Sequence, residues 1–539
     1  MRSSPEGPIS SISEPQFQHP ATPHSASGVL HAVRSLPSEP VSGFLDISPC
    51  GRRICGPLPL KYPGITREVW ALSFHIENFG CRAARADGES VAGSLLAAGH
   101  SVEHASDADV VIVNTCSVTA EADRAARAYI RRTNRINPAA KIVVTGCYAQ
   151  RAPEELAGMA GVAAVVGNSH KALAPEVADR VLKAKPGADL LPVAAVKTMG
   201  GVPVWADDRF AHSFLEETPV TPGAQTRPNL KIQEGCNNRC SFCIIPQTRG
   251  FSRSLPAGEV LNKIAGFVAA GGNELVLSGI NLGRWGRDRT AAGAHSAEEL
   301  PEDRVTPSLA ALVRRIFAET ELHRLRLSSI EPMDWDAELI GLMREFGGGR
   351  LARHAHLPLQ SGSDAVLRRM HRRYRPWHYA AKVQALVDAA GPELTLGADV
   401  MVGFPGETCQ EFEETSALVS ELPFGYLHLF PFSPRPGTPG WALHAESPVP
   451  AQVMEERIRT LRALAAEKTR KHRQRFIGQT LHAITLHTPE TLAKRGGTAA
   501  LTENFLPVEL AASLPANQMV RINATALNGE LEVVATLAD

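Results

Sequence analysis

Cys236-Asn237-Asn238-Arg239-Cys240-Ser241-Phe242-Cys243 decides how the rest of the chain is read. Three thiols fall within eight residues, at spacings of four and then three. They follow an apolar-alternating stretch, Asn229-Leu230-Lys231-Ile232-Gln233, that reads as a strand, so they sit on the loop leaving it. A closed structural zinc site takes four ligands, commonly as Cys-x-x-Cys pairs or with His at helical spacing. No second pair follows here, and the next cysteine is Cys409. Three thiolates on an iron–sulfur cube leave one iron without a protein ligand, a place that a chelating amino acid can take. An incomplete or inter-domain zinc site is the competing reading.

A second set of three lies upstream. The apolar runs Val69–Phe74, Val110–Thr115 and Ile142–Gly146 lead to Cys81, Cys116 and Cys147. These cysteines are 35 and then 31 residues apart, about one strand–helix unit, with helical text such as Glu121–Arg132 between them. β-branched runs alternating with helices predict a parallel sheet, whose crevice lies beyond the carboxyl ends of its strands. All three thiols are then expected on one edge. The competing reading is three unrelated core cysteines, a common fate of free Cys.

At 539 residues the chain is too long for one core. Lys+Arg and Asp+Glu both number 56, so bulk charge gives no argument for nucleic acid, and any such argument must be local. Nine cysteines in this length are no disulfide framework and fit metal ligation in a reducing, cytoplasmic setting. No apolar run has membrane-spanning length, and no membrane is expected. Residues 1–68 are rich in Ser, Pro, His and Gly and read as a disordered extension, with neither secretory-signal nor transit-peptide character. Cys50 and Cys55 within them have no evident partners. The other expected divisions are an α/β domain over 69–170, a connector over 171–227, a central domain over 228–475 and a small β-barrel over 476–539.

The central domain has six strand candidates separated by helices, which predicts parallel strands with right-handed crossovers. Polar, glycine-bearing text stands at the strand ends: Ser278-Gly279-Ile280-Asn281, Ser328-Ser329-Ile330-Glu331-Pro332, Gln360-Ser361-Gly362-Ser363, and Gly403-Phe404-Pro405-Gly406-Glu407-Thr408. Such loops suit close approach to a ligand, although ordinary loops favour the same residues. The stretch Asp288–Val305 reads as a polar surface insertion. Two basic clusters stand out, Arg368, Arg369, Arg372, Arg373 and Arg375, and Lys468, Arg470, Lys471, His472, Arg473 and Arg475. A charge run is usually a solvated face, but local positive charge is all that phosphate contacts require.

The Cys-x-x-x-Cys-x-aromatic-Cys text resembles the signature of the radical S-adenosylmethionine (SAM) superfamily, and EGCNNRCSFCIIPQTRGFSRS resembles its methylthiotransferase branch. The resemblance covers roughly residues 70–539. It implies an N-terminal domain with an auxiliary cluster on Cys81, Cys116 and Cys147, and an open (β/α)6 partial barrel. It further implies a C-terminal TRAM barrel that binds RNA, signalled by Thr502–Val508. In one departure, Ala84 stands where related sequences usually have Asn, three residues after the first cysteine. The implied cofactors are two [4Fe–4S] clusters and SAM. The cluster on Cys236, Cys240 and Cys243 would chelate SAM and cleave it to a 5′-deoxyadenosyl radical. The auxiliary cluster would present a sulfur species methylated by a second SAM. Phe242, Ser278, Gly279, Gln360 and Asp399 are the expected cofactor contacts, Phe242 by stacking on adenine. Arg368, Arg369, Arg372, Arg373, Lys468, Arg470, Lys471, Arg473 and Arg475 are the expected RNA contacts.

Flavodoxin or ferredoxin would supply electrons. Leu327–Pro332, His356–Ser363 and Leu367–Met370 resemble the members acting on threonylcarbamoyladenosine beside the tRNA anticodon. Members acting on isopentenyladenosine or on a ribosomal-protein aspartate are the near alternatives. A metal-stabilised RNA-binding module without catalysis is an alternative of another class.

Overall fold

Strict alternation of side chains in short parallel runs sets the architecture. The computed structural model describes residues 72–183, 195–210, 226–289 and 308–538. The readings made for residues 1–68, and for 290–305 of the polar insertion, lie outside them. The first seven strands are β1 (Ser73–Asn78), β2 (Ser101–Val102), β3 (Val110–Thr115), β4 (Lys141–Gly146), β5 (Val162–Gly167), β6 (Lys197–Met199) and β7 (Val202–Trp205). They form one sheet in the order β2-β1-β3-β4-β5-β7-β6, parallel except for the β6–β7 hairpin. Val110, Val111, Val113, Ile142, Val143 and Val144 are fully buried, because helices cover both faces of the sheet.

The segment 171–227, expected as a connector, is in part a piece of this sheet. The helix Ala174–Lys183 packs on it, and β7 pairs with β5 through Val165–Val204. Met199 and Val202 pair across Gly200 and Gly201, whose φ angles of +56° and +85° are those of a tight two-residue hairpin. Pro203 lies in β7, between β5 and the edge strand β6, and the pairing with β5 uses only Val204 and Trp205, clear of the proline. The first strand is seen from Ser73, and residues 69–71 of the expected run lie outside the described residues.

The central domain has β8 (Asn229–Glu234), β9 (Arg253–Ser254), β10 (Glu274–Gly279), β11 (Arg324–Leu327), β12 (His354–His356), β13 (Thr395–Val402) and β14 (Phe424–Pro431). One sheet runs β11-β10-β8-β9 and another β12-β13-β14. The bridge Leu325–Leu351 and the bond from Ile330 N–H to His356 O (3.0 Å) join them, so six parallel strands curl into an open barrel. Leucines at 230, 275, 277, 325 and 327 face outward onto the helices and make the main core. The alternate positions face inward and are polar: Lys231, Gln233, Glu274, Ser278 and Arg326.

The C-terminal strands β15 (Thr480–Thr485), β16 (Thr498–Thr502), β17 (Pro507–Leu510), β18 (Met519–Leu527) and β19 (Val533–Leu537) close a five-stranded barrel. Its loop Thr502–Leu506, part of the text that signals a TRAM barrel, meets the amino-terminal end of the central barrel. Thr502 O accepts from Arg326 Nη2 at 3.2 Å, and Glu503 Oε2 accepts from Arg353 N–H at 3.1 Å. The Phe505 ring lies 4.3 Å from that of His354. No described helix is long and apolar enough to cross a membrane.

Glu274 is fully buried and is approached by Arg326 (3.1 Å), Arg324 (3.4 Å) and Arg227 (3.5 Å). Removing one partner of a buried ion cluster leaves uncompensated charge. Glu274→Ala is expected to lower the unfolding free energy by about 3–5 kcal/mol, measured by urea titration. A loss below about 1 kcal/mol, typical of an exposed pair, would mean that water reaches these guanidinium groups.

Candidate active site

Strand register brings the upstream cysteines together. Asn78 pairs with Asn114, and Thr115 with Gly146, so the ends of β1, β3 and β4 lie side by side and Cys81, Cys116 and Cys147 follow them. Gly80 and Gly146 share a φ of +101°, open mainly to glycine. A Cβ on Gly80 would stand 2.5 Å from Cys116 Sγ, and one on Gly146 2.3 Å from Thr115 O. Cys81 is accessible; Cys116 and Cys147 are buried. Asn168 Nδ2 donates to Cys147 Sγ at 3.3 Å. Burial, then Cys81 and Cys147, push the Cys116 thiol up to about 12, so ionising Cys116 takes a bound cation. Three soft donors without a fourth suit an iron–sulfur cube. Ala84 is buried, and its carbonyl accepts from Asn114 Nδ2 at 2.5 Å, which sets a side-chain amide beside the position of the usual Asn.

The second trio rests on the turn after β8. Gly235, at φ +69°, lets the chain pass so close to Phe251 that a Cβ would lie 2.0 Å from its carbonyl oxygen. Cys236 N–H donates to Gly250 O (3.1 Å) and Cys243 N–H to Cys240 O (3.1 Å). N–H groups also reach sulfur: Arg372 Nη1 to Cys240 at 3.3 Å, Asn238 N to Cys236 at 3.4 Å, and Asn281 Nδ2 to Cys236 at 3.7 Å. Burial, then Cys240, push the Cys243 thiol up to about 12. Around this loop Ser278 Oγ, Asn281 Oδ1, Ser328 Oγ and Gln360 Oε1 are buried with no protein partner. Orphaned buried polar atoms are rare, and four at the strand ends are a fitting surface for a small polar cofactor such as SAM. Of the other expected contacts, Gly279 packs on Gln233, and Phe242 is half-buried against the core. Asp399 stands deeper, between His356 Nε2 (3.1 Å) and His428 Nδ1 (3.2 Å).

One buried cluster of charges ties the two trios together. Arg249, six residues after Cys243, meets Glu234 at 2.8 Å and Asp87 at 3.0 Å. Asp87 lies on the helix Arg82–Ala97, which Cys81 precedes, and also takes Lys171 at 2.6 Å and Lys231. Lys231 pairs with Glu234 as well. Burial opposes the charge on Arg249, yet Cys147, Glu234 and Asp87 hold its pKa well above the usual value. The helix Cys147–Arg151 packs on Ile245–Arg249, and Asn168 Nδ2 donates to Thr248 O at 2.8 Å.

Residues 73–167 match the family described as "Uncharacterized protein family UPF0004", and residues 230–419 match the Radical SAM superfamily. The threonylcarbamoyladenosine tRNA methylthiotransferase MtaB of Bacillus subtilis is 33% identical over 81% of this chain and 89% of its own length. The chain belongs to the radical SAM methylthiotransferase family. The tRNA-2-methylthio-N(6)-dimethylallyladenosine synthase of Sorangium cellulosum is 36% identical over 76% of this chain and 81% of its own. In fold, the chain resembles the radical SAM methyltransferase TsrM of Kitasatospora setae, with a TM-score of 0.50 at 16% identity over 70% of this chain and 78% of that one. This methylthiotransferase uses two [4Fe–4S] clusters and SAM, and the six thiols and the orphaned polar atoms are residues that could hold them.

Several basic residues of the methylthiotransferase stand elsewhere than expected. Arg372 is buried against Cys240 and Glu331, so it is no phosphate contact. Arg369 is engaged by Glu411 (2.8 Å), and Arg473 donates to Leu531 O (2.5 Å), tying the last long helix to the β-barrel. Lys468 donates to Ser420 O at 2.7 Å, and Arg475 to Pro392 O at 2.7 Å. Arg470 and Lys471 remain exposed, as does Arg368 beside Asp364; Arg373 is half-exposed beside Asp334. A run counted by charge alone could not separate these roles. The sequence reading passed over Arg82, Asp87, Lys171, Arg249 and the pair His356–His428. The signal for the barrel interior was present in Arg324-Leu325-Arg326-Leu327 and His354-Ala355-His356, where polar and apolar residues alternate.

Burial would raise the pKa of Glu234, but Arg249 and Lys231 hold it at about 2 against an ordinary 4.5, and Asp87 is depressed too. A depressed carboxyl adds stability that is complete above the unfolded pKa and lost as pH falls through the folded one. Urea titrations of the apoprotein are therefore expected to show a loss between pH 4.5 and about 2 that Glu234→Gln flattens. An unchanged slope in that variant would place the acid sensitivity elsewhere.

Proposed function

We propose that Cys81, Cys116 and Cys147 hold the auxiliary cluster, that Cys236, Cys240 and Cys243 hold the SAM cluster, and that the enzyme methylthiolates C2 of N6-threonylcarbamoyladenosine at tRNA position 37. The observation that carries this reading is the packing of the helix opened by Cys147 on the helix that follows Cys243, with Arg249 between the trios. A sulfur donor and a radical source must act on one carbon, and this packing supports their standing close enough to do so. The clusters and SAM supply the sulfur atom and the radical chemistry that an unactivated aromatic C–H requires.

The protein's own part is to bind and orient. Ser278, Asn281, Ser328 and Gln360 offer unfilled hydrogen-bonding atoms to SAM. Arg372 and Asn281 donate to sulfur, which tunes a cluster without ligating it. Arg368, Arg373, Arg470 and Lys471 keep charge accessible for phosphate. Overall identity does not separate the substrates, since relatives of both names stand at 31–36%. What favours threonylcarbamoyladenosine is the text around Leu327–Pro332 and His356–Ser363, together with MtaB relatives that cover up to 83% of the chain. A low-potential flavodoxin or ferredoxin in the cytoplasm is the proposed electron source.

Anaerobic reconstitution is expected to give about eight irons per chain, from two four-iron cubes. Cys236→Ala should abolish reductive SAM cleavage. Cys81→Ala should keep cleavage and lose sulfur insertion, followed by mass spectrometry of tRNA nucleosides. Equal loss of cleavage in both variants would refute this division of labour.

A further inference from the structure

The inward-facing side chains of the barrel carry more positive than negative charge, and every acid there is taken. Glu274 serves Arg227, Arg324 and Arg326. Glu503 serves Arg353 at 3.7 Å, and Asp399 is held between His356 and His428. Arg82 is the exception. It follows Cys81 directly, and its Cζ lies 5.8 Å from the Phe505 ring at the barrel's far end. It makes no ion pair or hydrogen bond with any described residue, although its side chain is accessible. Its five N–H donors are unused by the protein, and its planar fork matches a carboxylate.

His428 provides the second group. Its side chain is 59% accessible, and Nδ1 faces Asp399 Oδ1 at 3.2 Å, which leaves Nε2 free to meet a ligand. The Tyr426 ring lies 5.2 Å from that of His428 and 5.5 Å from that of Phe505, so aromatic faces line the space between. Arg326 Nη1 and His354 Nδ1, both fully buried side chains, also lack partners there.

We propose that Arg82 and His428 form a carboxylate subsite inside the barrel that reads the threonyl carboxylate of the modified base. This rests on the threonylcarbamoyladenosine reading above, and it deepens that reading by naming the residues that select the acid. An isopentenyl substituent has no charge to place there. The amino-acid part of SAM also carries a carboxylate, but that group belongs at the loop Cys236–Cys243, whereas Arg82 extends from the auxiliary trio toward Phe505. Arg82 and His428 act here as specificity residues.

The test uses the reconstituted holoenzyme with tRNA bearing threonylcarbamoyladenosine, and with the same tRNA whose threonyl carboxylate is converted to a neutral amide. Wild-type enzyme is expected to lose about tenfold or more in kcat/KM on the amide, as for a charge-assisted hydrogen bond removed. Arg82→Gln should lose a similar factor on the acid and no longer distinguish the two, while Arg82→Lys recovers part of the preference. His428→Phe, at a side chain that bonds to no cysteine, should lower the preference without changing iron content or the electron paramagnetic resonance of either cluster. Failure of wild type to prefer the acid, or an intact preference in both Arg82→Gln and His428→Phe, overturns the subsite. Weakened SAM binding in these variants with the preference retained assigns the pocket to SAM and also overturns it. Should wild type act on isopentenyladenosine tRNA and leave the threonylcarbamoyl substrate untouched, the functional reading itself falls, and the subsite with it.

Discussion

Asp87 is the point on which the docking of the first domain against the central barrel turns. Its carboxylate is fully buried and receives Lys171 from its own domain and Lys231 and Arg249 from the barrel. Glu234 shares Lys231 and Arg249, so three cations face two anions out of water. Such a group is strongly destabilising if any member is lost, and it fixes geometry more sharply than apolar packing does. Its surplus positive charge is carried toward Cys147 and Cys81 by Arg249. Docking of the first domain and the electrostatics of its cysteine trio are therefore one arrangement: the same guanidinium that closes the interface also faces the sulfurs.

The other end of the barrel is closed by a different device. The loop Thr502–Leu506 sets a backbone carbonyl on Arg326, a carboxylate on Arg353 and an aromatic ring on His354. Phe505 takes a φ of +68°, an uncommon conformation for a side chain of that size. The strain is held in place because Thr502 Oγ1 binds both Asn504 Oδ1 and Leu506 N–H. The C-terminal barrel thus packs on the central barrel through this loop, while the helix Ala451–Gln474 ends in the basic residues Lys471, His472 and Arg473.

Much of the fold was legible because it rests on local pattern. Val110–Thr115 and Ile142–Gly146 announce buried parallel strands by β-branched runs, and the Gly-Cys pairs at 80–81 and 146–147 announce the turns after strands. The hairpin Lys197–Trp205 was not legible because the text around Gly200, Gly201 and Pro203 has no clear periodicity, its two strands being only three and four residues long. The cysteine trios were legible from spacing within one loop and from spacing between repeated units. What joins them was not, because Asp87, Lys171 and Arg249 are 84 and 78 residues apart in sequence and meet only in the folded chain. Arg372 shows the same limit in reverse: five arginines in eight residues look alike, yet one turns inward to a cluster sulfur.

The barrel interior carries the last step. An α/β barrel that only needed stability would fill its inner positions with branched apolar residues. Here the inner positions of β8, β10, β11, β12, β13 and β14 include Lys231, Glu274, Arg326, His356, Asp399 and Tyr426. Burying polar groups is costly, and the chain offsets it by pairing many of them, while Ser278 Oγ, Gln360 Oε1, Arg326 Nη1 and His354 Nδ1 are buried without a protein partner. Inner groups left in that state are available to a polar ligand. The outward leucines that form the core make this possible: stability is supplied on the outer face of each strand, and the inner face is free to be chosen for the ligand.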